Sequence, residues 1–228
     1  MRKLTRFLGI TLIIVGLVML AYNLIPSFVI NQQADDSAVV LEDVTPDQLQ
    51  ENKNENGEID FSAIEDISAD AALNAEDIDP DLLVGQLVIP SIDLNLPIFK
   101  SMTNSTLLAG AAVMKHDQVM GEGNYAIAGH YTHTSDNLFG PLRNLEEGAT
   151  IRLSDKDKIY EYQLVNYEVV PATAIEMIED EQANQYGAPI ISLMRCYYVD
   201  FQKTPDREFY IGELVDTYAY SPDQLFAE

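Results

Sequence analysis

Three residues that lie far apart in the sequence have side chains suited to acyl transfer: Cys196, His130 and Arg207. A thiolate is the attacking form of cysteine, an imidazole can carry protons, and a fixed guanidinium can hold an oxyanion. Each residue also has an ordinary explanation. A lone cysteine is often a small buried apolar residue, His130 would serve as an exposed turn residue, and Arg207 would pair with Asp206 or Glu208.

Strand-like runs position all three candidates. His130 follows the apolar run 124–128, at the point where the chain leaves a sheet. Cys196 falls late in the run 190–198, and Arg207 begins the last long run. A turn at 203–206 separates these last two runs, so they are predicted to form an antiparallel pair that brings the guanidinium alongside the thiol.

The alternation of side chains along a strand divides the neighbours of the cysteine between two faces. Cys196 is predicted to share a face with Met194 and Ser192, whereas Arg195 and Leu193 point to the opposite face. The thiol therefore lies between small or apolar neighbours, and the extra arginine is expected to point away from it.

Short apolar runs separated by turn residues continue through the second half of the chain. They cover 87–89, 94–99, 150–153, 160–165, 167–170 and 208–215. Turn signals at this spacing, with only brief helical interruptions, predict a mostly β fold that closes into a barrel with short helices. No glycine-rich phosphate loop is present.

Charge is concentrated in one part of the chain. The 228 residues carry a net charge of −24, from 37 acidic and 13 basic residues, which argues against nucleic acid as a partner. Residues 34–84 hold sixteen Asp or Glu and one basic residue, Lys53. This composition is typical of solvated chain, with a possible short amphipathic helix between Phe61 and Leu73. The single cysteine excludes an intramolecular disulfide.

The N-terminus predicts a membrane anchor. Basic residues precede an apolar run over 7–25, which is about long enough to cross a hydrocarbon core of about 30 Å. A cleaved signal peptide is the alternative, but no small-x-small cleavage pattern follows Ala21. The expected organisation is a cytoplasmic basic end at 1–6, a transmembrane signal-anchor at 7–25, an acidic extracytoplasmic linker at 26–81 and a catalytic domain at 82–228.

The chain from about residue 82 to residue 215 resembles the sortases, and particularly those of class A. The resemblance rests on ordered blocks: VGQLVIP at 84–90, LNLPIFK at 94–100, LLAGAAVM at 107–114, MGEGNYAIAGH at 120–130, FGPLRNL at 139–145, SLMRC at 192–196, and Arg207 at the start of the closing strand. The loop at 171–190 is too short for the helical insertion of class B, and the lid motif of class C is absent.

The resemblance implies an eight-stranded sortase barrel with a groove for a sorting signal of the Leu-Pro-x-Thr-Gly kind. Cys196 would form a thioacyl-enzyme, His130 would transfer protons, and Arg207 would hold the signal and the oxyanion. Surface proteins bearing the signal, and an amine of a peptidoglycan precursor, would be the partners. The enzyme would act on the outer face of a Gram-positive cell membrane without a cofactor.

By position, Ala128, Val169, Pro171, Met194 and Phe209 resemble residues lining the family's apolar groove, although core packing would also explain each of them. Two departures from the family stand out. Arg195 replaces the threonine that normally precedes the cysteine, and Ser192 replaces an earlier threonine of the same motif. Lys115 and His116 stand where calcium-dependent members place acidic ligands, so no metal site is predicted. A secreted cysteine peptidase and a membrane-tethered, non-catalytic peptide-binding relative are the alternative functions.

Overall fold

A closed barrel of eight strands forms the body of the molecule. The computed structural model describes residues 2–64, 67, 69–131, 137–200 and 202–227, and the strand count refers to these residues. The strands are β1 (Leu83–Ile89), β2 (Leu94–Phe99), β3 (Ala111–Val113), β4 (Asn124–Gly129), β5 (Thr150–Ser154), β6 (Lys158–Pro171), β7 (Ile190–Val199) and β8 (Gln202–Ala219). They are ordered β1-β2-β3-β4-β7-β8-β6-β5 around the barrel. The predicted eight-stranded, mostly β fold is confirmed.

Several strands differ in their bounds from the runs predicted by the sequence. β8 begins at Gln202 and pairs with β7 from there, so the turn predicted at 203–206 lies within this strand and the chain turns earlier. β3 has only three residues, too few to show a periodic pattern. β6 joins two predicted runs, 160–165 and 167–170, into one strand. Its register against β8 shifts between Leu164 and Asn166, and this irregularity interrupts the alternation that marks a continuous strand.

Alternation along β7 separates two hydrophobic clusters. Ile191 and Leu193 belong to the main cluster, which draws on nearly every strand and fills the barrel. Met194 and Cys196 belong to a second cluster, which also contains Ala128 of β4. The predicted division of the cysteine strand into two faces is therefore confirmed.

One long helix and several short helices surround the barrel in the part of the chain that the structure describes. The α-helices are α1 (Arg2–Asp43), α2 (Pro46–Asn52), α3 (Ala69–Leu73), α4 (Asn104–Ala109) and α5 (Pro222–Leu225). The 3-10 helices are Phe61–Ala63, Pro80–Leu82, Pro90–Ile92, Gly140–Asn144, Ile175–Ile178 and Asp180–Gln185. α2 begins at a capping box in which Thr45 and Gln48 satisfy each other's backbone N–H groups.

Residues 26–81, expected to be an acidic linker, contact the barrel at several points. The Lys156 ammonium donates to the carbonyls of Leu41, Glu42 and Val44 at 2.5, 3.2 and 2.8 Å, where α1 ends. A cation at this position satisfies carbonyls that the helix leaves without partners. Further along, Lys53 pairs with Asp155 at 2.8 Å.

The run 7–25, predicted to be a transmembrane signal-anchor, lies within α1. This helix continues past residue 25 to Asp43, and its later residues Ile30 and Leu41 are buried against the rest of the molecule. Among the residues that the structure describes, no helix combines the length and the hydropathy needed to cross a membrane. The expected transmembrane helix is therefore not found.

Candidate active site

The hairpin of β7 and β8 brings two of the three predicted residues together. Cys196 and Arg207 are directly opposite each other in the antiparallel register. Side chains that face each other in this way project from the same face of the sheet, with Cβ atoms about 5 Å apart. The thiol is buried and the guanidinium is half-buried, and the Arg207 Nη1 atom donates to the carbonyl of Asp206 at 3.0 Å.

The third residue, His130, follows β4, which is the parallel neighbour of β7. β4 pairs with β7 in a parallel register in which Ala126 faces Ser192 and Ala128 faces Met194. The paired residues end at Ala128 and Met194, and His130 follows directly after β4; the same register extended by two residues would bring it level with Cys196. His130 is only 3% exposed, and its carbonyl accepts a hydrogen bond from the N–H of Phe139 at 3.0 Å.

Most of the predicted groove residues lie in one apolar site beside the cysteine. Ala128, Met194 and Phe209 pack in the same cluster as Cys196. A cavity of about 80 Å³ next to them is lined by residues that include Met194, Phe209, Pro171 and Arg207.

Val169 does not contribute to this cavity, contrary to the sequence-based expectation. It faces Glu208 across the β6–β8 pair, whereas its neighbour Val170 faces Arg207. Val170 accordingly packs against the cluster that contains the cysteine. Adjacent residues of a strand point to opposite faces, so Val170 rather than Val169 lies on the side of the cysteine in this structure.

A segment that precedes the barrel covers the sulfur. The Cys196 thiol donates to the carbonyl of Ile64 at 3.6 Å, and the Ile64 side chain is 3% exposed in the same cluster as Met194. Phe61 and Ile64 both line the cavity described above. Residues 59–64 thus occupy the cleft at the sulfur in this structure.

A lysine fixes the loop between β6 and β7. Lys115 pairs with Asp180, and the backbone N–H of Asn124 donates to the same carboxylate at 3.1 Å. The hydrogen bond from Lys115 holds the pKa of Asp180 below its ordinary value. The Asn124 amide also donates to the carbonyl of Met177 at 3.0 Å, so the loop is tied to the start of β4.

Among the described residues, no group of three or more His, Cys, Asp or Glu is placed to hold a metal ion.

Arg195 lies on the opposite face from the cysteine, as predicted, and is buried at 4% exposure. It pairs with Glu208, its cross-strand neighbour, at 2.7 Å, and it donates to the hydroxyl of Tyr210 at 3.0 Å and the carbonyl of Phe139 at 2.9 Å. Its guanidinium also lies 4.3 Å from the centroid of the Tyr131 ring. Burial raises the pKa of Tyr210 well above its ordinary value, so this hydroxyl is neutral.

Sequence reasoning did not find Ile64, Glu208, Tyr210 or Tyr131 as neighbours of the site. The register of the hairpin carried the signal for one of them: a partner of Cys196 at Arg207 requires Arg195 to face Glu208. The contact with Ile64 had no such signal, because it joins residues 132 positions apart.

Comparisons with known proteins agree with the fold and the motifs. A family model described as the sortase domain matches residues 87–215. Sortase A of Bacillus anthracis is 36% identical over 167 residues, covering 73% of this chain and 76% of the relative. Sortase A of Listeria monocytogenes is 29% identical over 215 residues, covering 94% of this chain and 93% of the relative. Its crystal structure superposes with a TM-score of 0.57 and 32% identity, covering 64% of this chain and 99% of that structure.

Proposed function

The chain belongs to the sortase family of cysteine transpeptidases, and from this premise we propose that it cleaves a Leu-Pro-x-Thr-Gly-like sorting signal between Thr and Gly. It then joins the threonine carbonyl of the signal to an amine of a peptidoglycan precursor. The relatives named Sortase A favour class A. The observation that supports the proposal is the register that pairs Cys196 with Arg207 across β7 and β8, beside the parallel strand β4 that leads into His130.

The first half-reaction forms a thioester. The proton of the Cys196 thiol passes to His130, the resulting thiolate attacks the threonine carbonyl, and the negative charge that develops on its oxygen is stabilised by the Arg207 guanidinium. The carbon–nitrogen bond then breaks, and His130 gives a proton to the departing glycine amine. The signal's acyl part remains on the sulfur, and the C-terminal fragment leaves.

The second half-reaction restores the enzyme. An acceptor amine attacks the thioester carbonyl, His130 takes the proton that this amine loses, and the thiolate of Cys196 departs. Apolar walls supplied by Ala128, Met194 and Phe209 would hold the leucine and proline of the signal and exclude water. In this proposal, Val170 takes the place that the sequence gave to Val169.

We also propose that the barrel works on the outer face of the cell membrane, with residues 7–25 as its attachment. The support is a basic N-terminal end followed by apolar side chains that are more than half exposed along α1, such as Phe7, Leu12 and Leu17. Exposed apolar surface of this extent marks a site of interaction with a membrane or a partner.

The test uses the full chain, a fluorescent Leu-Pro-x-Thr-Gly peptide and an aminated acceptor peptide, with products identified by mass. The wild type should give the joined product and an acyl adduct on Cys196. Cys196→Ala should give neither. His130→Ala and Arg207→Ala should lower kcat/KM, the latter by on the order of 10²–10³-fold. Lys203→Ala removes a cation from the same strand as Arg207 and is the matched control.

Three outcomes would contradict the proposal. If Cys196→Ala joined the peptide to the acceptor at an undiminished rate, Cys196 would not be the nucleophile. Hydrolysis of the peptide despite abundant acceptor amine would identify a peptidase. Binding of the peptide by the wild type with no acyl adduct would identify a non-catalytic binding protein.

A further inference from the structure

A single guanidinium is bonded to segments that adjoin all three of the proposed catalytic residues. Arg195 is itself the neighbour of Cys196 on β7. Its ion-pair partner Glu208 is the neighbour of Arg207 on β8. The same guanidinium thus reaches from the strand that carries the sulfur to the strand that carries the proposed oxyanion donor.

The contacts with the histidine segment are equally direct. The Arg195 Nη1 atom donates to the carbonyl of Phe139 at 2.9 Å, and the backbone N–H of Phe139 donates to the carbonyl of His130 at 3.0 Å. Tyr131, the residue after the histidine, lies with its ring 4.3 Å from the guanidinium. Both Tyr131 and Phe139 therefore contact Arg195.

We propose that Arg195 is a positioning residue, which sets the relative placement of the sulfur, the imidazole and the Arg207 guanidinium from the opposite face of the sheet. This role rests on the function proposed above. Arginine suits it because a planar fork with five N–H donors can satisfy a carboxylate, a hydroxyl and a carbonyl at once, whereas lysine is a single compact charge.

Burial makes this arrangement rigid. Arg195 and Glu208 are 4% and 5% exposed, and Tyr210 donates to the same Glu208 oxygen at 3.0 Å. A buried charge that loses its partner is strongly unfavourable, so alternative placements of either side chain are suppressed. A displacement of about 1 Å at reacting groups costs on the order of 10²-fold in rate. We expect a loss of kcat of this order when the Arg195 guanidinium is removed.

The experiment compares Arg195→Lys, Arg195→Met and the double variant Arg195→Met/Glu208→Gln in the transpeptidation assay. The double variant leaves no unpaired buried carboxylate and so supplies the measurement if Arg195→Met alone does not fold. We expect kcat per folded enzyme to fall about 10–100-fold in all three, with KM changed less than about threefold. The limbs of the pH profile of kcat/KM should move, because the sulfur and the imidazole no longer keep their separation.

A second arginine–glutamate pair, in which the arginine is buried and the glutamate is half-buried, provides the matched control. Arg152 pairs with Glu161 across β5 and β6 at 2.8 Å and also holds the carbonyl of Leu225, away from the cysteine. Arg152→Met/Glu161→Gln should lower the melting temperature without changing kcat per folded enzyme or the pH profile.

The proposal is overturned if the folded Arg195 variants keep the wild-type kcat and pH profile and differ only in melting temperature. In that case Arg195 has a purely structural role, like Arg152. This failure is distinct from failure of the proposed function, in which the wild type itself would form no acyl adduct on Cys196.

Discussion

At the scale of single residues, the alternation of side chains along a strand puts the proposed catalytic residues on one face of the sheet and the buried ion pair on the other. Cys196 and Arg207 face each other on one side of the β7–β8 hairpin, and Arg195 and Glu208 face each other on the other side. A shift of one residue in this register would place Cys196 opposite Glu208, or Arg195 opposite Arg207, and would break the buried ion pair. The buried pair therefore also selects the register that the reaction needs.

Gly129 is a glycine because the ring of Phe139, a residue whose backbone bonds to both Arg195 and His130, leaves no room for a side chain. A Cβ atom at this position would meet the ring of Phe139 at 2.6–2.7 Å, and Phe139 lies between Arg195 and His130 in the hydrogen-bond chain. Gly129→Ala should therefore displace Phe139, lower the free energy of unfolding by about 1–3 kcal/mol and reduce kcat. Denaturant melts and transpeptidation rates measure the two effects.

Gly212→Ala on β8 is the matched control for this prediction. Its new Cβ atom would come no closer than 3.1 Å, to the Ile191 side chain, which can yield by a few tenths of an ångström. We expect a smaller loss of stability and an unchanged kcat. Equal losses of kcat in the two variants would show that Gly129 has no special relation to the histidine.

At the scale of elements, the barrel and the hairpin were predictable from the sequence because their signals are local. Runs of apolar residues and alternation located β7 and most of β8, and their closeness in the sequence indicated an antiparallel pair. The turn itself was predicted too late, at 203–206, because polar residues and a proline stand in what is the first part of β8. The covering segment was not predictable in this way. Phe61–Ala63 and Ile64 reach the sulfur only through tertiary packing, and a thin apolar stripe does not reveal its partner surface.

The covering segment should compete with the sorting signal for the groove. Ile64→Ser places a hydroxyl in the apolar cleft and removes much of the buried side chain, which should weaken docking of residues 59–64 by about 2 kcal/mol or more. Because Cys196 is the only cysteine, its exposure can be followed by the rate of iodoacetamide labelling. That rate should rise on the order of tenfold, and KM for the sorting peptide should fall.

The control for the covering segment is Leu73→Ala on α3, a side chain that is 61% exposed. Labelling of Cys196 should be unchanged in this variant. If Ile64→Ser also leaves the labelling rate and KM unchanged, then residues 59–64 do not limit access to the sulfur.

At the scale of the whole molecule, residues 26–81 are held to the barrel by buried apolar side chains, such as Ile30 and Leu41, and by the contacts of two lysines. Lys156 binds the carbonyls at the end of α1, and Lys53 pairs with Asp155 in the β5–β6 turn. Charge composition alone predicted solvated chain for residues 26–81, because it counts sixteen acidic residues in 34–84 and cannot show which lysine of the barrel meets which carbonyl. The attachment depends on those individual contacts.

Attachment through Asp155 should depend on pH. Burial raises the pKa of this carboxyl, but hydrogen bonds from Lys53 and from the backbone of residues 157 and 158 together hold it below the ordinary value of 3.8. A lowered pKa stabilises the folded state above about pH 4, and this contribution is lost as pH falls through the folded pKa. Asp155→Asn should lower the free energy of unfolding by about 1–3 kcal/mol at pH 7, and the difference from the wild type should shrink between pH 4 and pH 2. Denaturant melts across this range measure it.

The control is Asp157→Asn, which changes an exposed carboxylate of the same turn and should show neither effect. If the difference between Asp155→Asn and the wild type stays constant with pH, then the charge of Asp155 does not hold residues 26–81 in place.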